Sequence, residues 1–107
     1  MAQFDVHRNK GPLRDSIPFV VLVQSQQFDR YRRRMVVPLM RLDLLPRNSS
    51  IAGSRMNPVF AIDGVQVVLH PLDMVSVALD QLGELVGSLA EQGQAIADGL
   101  DELLTRS

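Results

Sequence analysis

The sequence predicts an α+β domain that is mostly β: an antiparallel sheet with one helix at its C-terminal end. Three observations predict it. Short β-branched runs recur through most of the chain, an Asp-Gly pair separates two of them, and a stretch of helical periodicity follows the last. The 107 residues make a single domain (1–107), which buries roughly 65% of the surface its unfolded chain would expose.

Each element has a local cause. Gln3–His7 alternates apolar and polar residues, with Phe4 and Val6 on one face, as a half-buried strand does. Asn9–Pro12, containing Gly11, reads as a turn. Pro18–Gln24 (PFVVLVQ) is β-branched and continuously apolar, which predicts a central strand covered on both faces, antiparallel to residues 3–7. Met35–Leu42 is the third apolar run, and Pro38, with no N–H for a ladder, is expected at a strand edge or bulge. Asp43–Gly53 gathers Pro46, Asn48, Ser49, Ser50 and Gly53 into a loop suited to partner contacts. Pro58–Ile62 and Val65–Leu69 flank Asp63-Gly64, a pair that accepts the positive φ of a two-residue hairpin turn. Leu72–Leu79 reads as a short strand around Met74-Val75-Ser76-Val77, with a helical turn as the alternative. Ser88, with Glu91 three residues on, forms a capping box for a final helix whose Leu89, Ile96, Leu100 and Leu103/Leu104 share one face. Gly93 and Gly99 each weaken such a helix by about 1 kcal/mol relative to alanine, so docking on the sheet must hold it.

Composition narrows the function classes. Hydrophobic residues at 46% and charged residues at 21% describe an ordinary folded protein rather than a disordered one. The longest apolar run, Ile17–Val23, has seven residues, far short of a membrane span. With no apolar leader in MAQFDVHRNK and no cysteine, the chain is expected to be cytoplasmic, without disulfides, thiolate metal sites or a cysteine nucleophile. The net charge of −1 hides a polarity: residues 1–55 carry +6 and residues 56–107 carry −7. Such a chain sets a basic face beside an acidic one, or complementary patches in a dimer. It is not basic enough for direct nucleic-acid binding to be expected.

Candidate chemistry is sparse. His7 and His70 stand far apart, outside any metal-ligand spacing, and read as structural. Asp98, Asp101 and Glu102 read as the solvated face of the helix. Arg30, Arg32, Arg33 and Arg34, with Tyr31 among them, form the sharpest charge feature and could hold a phosphate backbone. The plainer reading is a solvated turn leading into Met35, with Arg33 or Arg34 paired to an acid. No phosphate loop, nucleophile elbow or paired-carboxylate motif is present, and no metal or cofactor is implied.

Five segments then fall into register with a known family. MAQFDVHRN, Val-Gln-Ser at 23–25, Arg-Met-Val-Val-Pro-Leu at 34–39, Asn-Pro-Val-Phe at 57–60 and Pro-Leu-Asp-Met at 71–74 resemble the CcdB family of toxins over essentially the whole chain. The resemblance implies a small SH3-like barrel of the CcdB/MazF kind with a C-terminal helix, assembled as a homodimer. It implies the toxin of a type II toxin–antitoxin module, which binds the A subunit of DNA gyrase, traps the enzyme on cleaved DNA, and is neutralised by a CcdA-like antitoxin. Inhibition by binding needs no catalytic group. A CcdB-fold protein that has lost gyrase poisoning, as a decoy or a toxin with a different target, and a MazF-like endoribonuclease using the arginine cluster are the alternatives.

The gyrase contact implied by the family falls on Gln27, Phe28, Asp101, Thr105, Arg106 and Ser107. The family typically closes with Trp-Gly-Ile where this chain has Thr105, Arg106 and Ser107, and this chain has no tryptophan. A buried aromatic anchor at an interface is commonly worth ~2–4 kcal/mol, or roughly 30- to 1,000-fold in affinity. For the dimer, the family architecture implies a two-fold near Met35–Leu39, Met74–Val77 and the end of the helix.

Overall fold

β2 (Phe19–Leu22) is buried at every position, and the rest of the sheet is arranged around that fact. The computed structural model describes residues 2–24, 32–46 and 51–104. β2 lies between β1 (Asp5–Asn9) and β3 (Arg33–Arg41), antiparallel to both, with Val21 opposite Val6 on one side and Val37 on the other. β4 (Val59–Ile62) and β5 (Val65–Leu69) form the hairpin expected from Asp63-Gly64, and both turn residues have positive φ, 51° and 80°. β6 (Val75–Ala78) and β7 (Leu82–Ser88) follow, then helix α1 (Gly93–Leu104). The strand order is β4-β5-β3-β2-β1-β7, with β6 pairing the first half of β3.

The sheet curls. β1 and β4 stand four strand spacings apart, roughly 19 Å if the sheet were flat. Yet Arg8 on β1 reaches Asp63 at the end of β4 with 3.1 Å between Nη2 and Oδ2. One face of the sheet carries the main core: Val6, Phe19, Val21, Val37, Leu39, Phe60, Val67 and Leu69, closed by Leu89 and by Ile96 of α1. The alternate residues Val20, Leu22 and Val36 make a second, smaller cluster with Leu82 on the other face. This is the two-sided burial expected of a continuously apolar strand.

Several sequence expectations shift. The first strand is Asp5–Asn9 rather than 3–7, because Phe4 adopts φ 71° and cannot continue the pleat. Pro38 lies in the middle of β3, at neither a bulge nor the rim of the sheet, and is paired with Val20 of β2. Its missing donor acts on the other side. His70 N–H donates to the Pro38 carbonyl at 3.1 Å but receives nothing back, and the His70 carbonyl accepts instead from Asp73 N–H at 3.1 Å. Pro38 thus ends the β3–β5 ladder and frees a carbonyl to close the 3₁₀ turn Pro71–Asp73, after which β6 takes over as β3's neighbour. β3 starts at Arg33, two residues before the apolar run. The loop 43–53 opens with a 3₁₀ turn at Leu42–Leu44, and its residues 47–50 lie outside the described residues.

The capping box is also corrected. Ser88 is the last residue of β7, and its hydroxyl accepts Ala90 N–H at 3.1 Å where the chain enters the 3₁₀ turn Ala90–Gln92, not at the start of α1. α1 begins at Gly93. Its glycines are there for close approach: a Cβ at Gly93 would lie 2.6 Å from Cε2 of Phe4, and one at Gly99 would lie 3.1 Å from the Met56 carbonyl oxygen. Among the described residues, no helix is long and apolar enough to cross a membrane.

Candidate interaction surface

Of the six positions singled out for partner contact, Asp101 is within the described residues. Gln27, Phe28, Thr105, Arg106 and Ser107 lie outside them, as do Arg30 and Tyr31. Asp101 is exposed on the last turn and a half of α1, whose opposite face is fixed by Ile96 in the core and by Gly99 against the 55–56 backbone. Arg55 holds that end of the helix from outside, with Nε 3.1 Å from Glu102 Oε2 and Nη2 3.9 Å from Asp98 Oδ1. These are half-exposed pairs worth about 0.2–1 kcal/mol each. The acidic group is therefore more than a solvated face, since two of its three carboxylates face Arg55.

Three apolar side chains are exposed on α1 and on the segment that packs against it. Leu72 in the Pro71–Asp73 turn is 65% exposed, Val75 at the head of β6 is 47% exposed, and Leu104 at the end of α1 is 67% exposed. The turn packs on α1, and Val75 follows the turn after Met74. β6 pairs with β3 on one side, and its other edge is unpaired among the described residues. Of the residues implied near the two-fold, Val36, Val37 and Leu39 are buried in the core, whereas Met35, Met74–Val77 and the end of α1 are at least partly exposed. Hydrophobic periodicity around β6 did signal this strand. Nothing in it signalled that Leu72 and Val75 would be left uncovered.

The arginine cluster is divided by the strand it enters. Arg33 is exposed and clamps Ser76, with Nε donating to Oγ at 2.8 Å and Nη2 donating to the carbonyl at 2.6 Å. Arg34 is buried, and its Nη1 donates to the Arg33 carbonyl at 2.9 Å. Arg32 borders a shallow hollow with Asp80. Of the two arginines expected to pair an acid, Arg33 is engaged by Ser76, and Arg34 is buried rather than on a solvated turn.

Both histidines are held by the fold. His7 is buried at an irregularity in the β1–β7 ladder, and its Nδ1 donates to the Gly83 carbonyl at 3.1 Å, since that oxygen can only accept. His70 Nδ1 lies 3.1 Å from Asp73 Oδ2. Among the described residues, no three His, Cys, Asp or Glu side chains come together in a way that could hold a metal ion.

At the opposite side of the sheet, an open groove of about 650 Å³ runs between Arg14, Pro18, Arg41, Leu42 and Val65. Arg41 is tied there to Asp43, with Nη2 to Oδ2 at 2.7 Å, and that hydrogen bond raises its pKa above the usual arginine value.

The decisive comparison is with protein families: the model of the CcdB protein family matches residues 3–105. The chain belongs to the CcdB family. Among solved structures that share its fold are two toxins. An endoribonuclease in complex with its cognate antitoxin, from a mycobacterial species, superposes with a TM-score of 0.74 at 13% identity, covering 97% of this chain and 94% of that one. The Mycobacterium tuberculosis toxin MazF-mt6 superposes with a TM-score of 0.69 at 14% identity, covering 92% and 93%. At such identities the likeness is one of fold: the curled, mostly β sheet with its C-terminal helix. No curated protein matches the sequence.

Proposed function

We propose that this CcdB-family toxin acts as a homodimer that binds DNA gyrase through its A subunit and traps the cleaved-DNA complex, and that a CcdA-like antitoxin neutralises it. It does so as a protein inhibitor rather than as an enzyme. The observation that carries the reading is the family match, continuous over residues 3–105. The surface is compatible with it. The end of α1 exposes Asp101 and Leu104, and the segment that packs on α1 exposes Leu72 and Val75, apolar side chains of the kind a two-fold contact covers. In this reading the second copy covers these side chains, and Asp101 of each copy remains at the exposed helix end.

Gyrase from the source organism is the test. Purified toxin should abolish supercoiling and accumulate cleaved DNA, and added antitoxin should reverse both. Gyrase left untouched at high micromolar toxin would end the gyrase reading. A parallel incubation with labelled RNA separates the ribonuclease alternative, which predicts cleavage without gyrase.

A further inference from the structure

Two sheet edges face each other across a cleft. β7 and β4 are the two ends of the strand order, and among the described residues β7 pairs with β1 alone and β4 with β5 alone. Between them lies a cleft of about 280 Å³, with Ala61 and Ile62 on one wall and Val86, Gly87 and Ser88 on the other. Arg8 ties the edges at one end, its guanidinium meeting Asp63 at 3.1 Å and Glu84 at 2.7 Å. The Ala90–Gln92 turn borders the other end. Asp63 and Glu84 thus meet at one guanidinium, and since every ladder from β4 to β7 is antiparallel the two edges run in opposite directions.

Among the described residues, β7 is an edge strand with one side open. It exposes Glu84, Leu85 (59%), Gly87 and Ser88, and an exposed edge strand is a template for another chain. Gly87 is not required by the fold. Its φ is not in the left-handed region, and a Cβ there would meet nothing within 4 Å. A glycine the fold does not need, on the wall of a cleft between two unpaired edges, leaves room for another backbone. Two carboxylates, Asp63 and Glu91, line the cleft, and among its lining residues there is no Lys or Arg.

We propose that β7 accepts an added strand, and that its occupant is an extended Lys- or Arg-bearing segment of the antitoxin, running antiparallel to β7 with its far side toward β4. The inference rests on the toxin–antitoxin reading above and gives it a docking site. Backbone hydrogen bonds supply the affinity, and the carboxylates select a basic segment. A second copy of this chain fits less well. Its own β1 would follow β7 into a space that β4 already bounds.

The test is hydrogen–deuterium exchange of the full-length toxin, free and bound to the purified antitoxin encoded with it, together with titration calorimetry. Exchange in the 82–88 segment should slow on binding, and the affinity should fall with added salt. Gly87→Val, which favours a strand but fills the cleft wall, and Glu91→Lys should each weaken binding at least tenfold with thermal unfolding unchanged. Tight binding with exchange across 82–88 unaltered would overturn the inference while leaving the toxin–antitoxin reading intact. Protection of 82–88 in the free toxin that is lost on dilution would overturn it in favour of a second copy. No binding by wild-type toxin would overturn both.

Discussion

The contact between Phe4 and Gly93 sets two effects of opposite sign against each other, and their sizes decide the outcome of Gly93→Ala. Alanine in place of glycine favours a helix by up to about 1 kcal/mol, less at a first helical residue such as this one. Against that, the new Cβ would lie 2.6 Å from Cε2 and 2.9 Å from Cδ2 of Phe4. The ring cannot retreat easily, because the Phe4 backbone is pinned on both sides. Its N–H donates to Leu22 O at 2.6 Å, and its carbonyl accepts Leu89 N–H at 2.8 Å, all at φ 71°. Over-packing of this kind costs typically 1–3 kcal/mol, so the expected net loss is about 1–2 kcal/mol. For a domain of this size that is a fall of roughly 5–15 °C in Tm. The assay is urea and thermal unfolding at one fixed protein concentration, run as a double-mutant cycle with Phe4→Ala. Once the ring is removed, Gly93→Ala should become neutral or stabilising, giving a coupling of at least ~1 kcal/mol. A stabilising Gly93→Ala in the wild-type background, or a coupling near zero, would refute the reasoning.

Two further outcomes follow from burial. Ile96→Ala, at a fully buried position that joins α1 to the core, should cost about 2–5 kcal/mol in the same unfolding assay, and α1 should lose hydrogen-exchange protection with it. Val75→Asp, on the exposed head of β6, should leave monomer stability within about 0.5 kcal/mol but raise the dimer dissociation constant at least tenfold by analytical ultracentrifugation. An unchanged dimer would place the two-fold elsewhere.

The elements that could be read in advance were those whose cause is local. The Asp63-Gly64 turn needs only its own two residues and the β-branched runs beside it, and the buried strand at Phe19–Leu22 announces itself by an unbroken apolar run. What escaped depends on distant partners. LGELVGS does not look like a strand, since it has one β-branched residue and two glycines, yet β1 recruits it as an edge. Met35 looked like the start of β3, but the strand begins earlier because Arg33 clamps Ser76 across the β3–β6 ladder. Gly93 and Gly99 read as helix weaknesses. They are contact points whose reasons, Phe4 and Met56, lie 89 and 43 residues away in sequence. The candidate surface was legible mainly through family register, which brought Asp101 to notice. The exposure of Leu72 and Val75 became visible only once the other apolar residues had been assigned to the core.

The polarity of the chain has the same long-range character. A +6 first half and a −7 second half could form two opposed faces, but the fold uses part of the difference internally. Arg8 pairs with Asp63 and Glu84, and Arg55 pairs with Asp98 and Glu102, so each of these contacts joins the basic half to the acidic half. Each is half-exposed and individually weak, and their greater effect is geometric. Arg8 ties the β4–β5 turn to β7 where the core has already curled the sheet, and Arg55 ties the end of α1 to the segment on which Gly99 packs. Each of these arginines is shared by two carboxylates. One shared contact lies on the helix that bears Asp101, and the other lies where Asp63 enters the cleft lined by Gly87 and Glu91, so both surfaces proposed for partners adjoin a contact that joins the two halves of the chain.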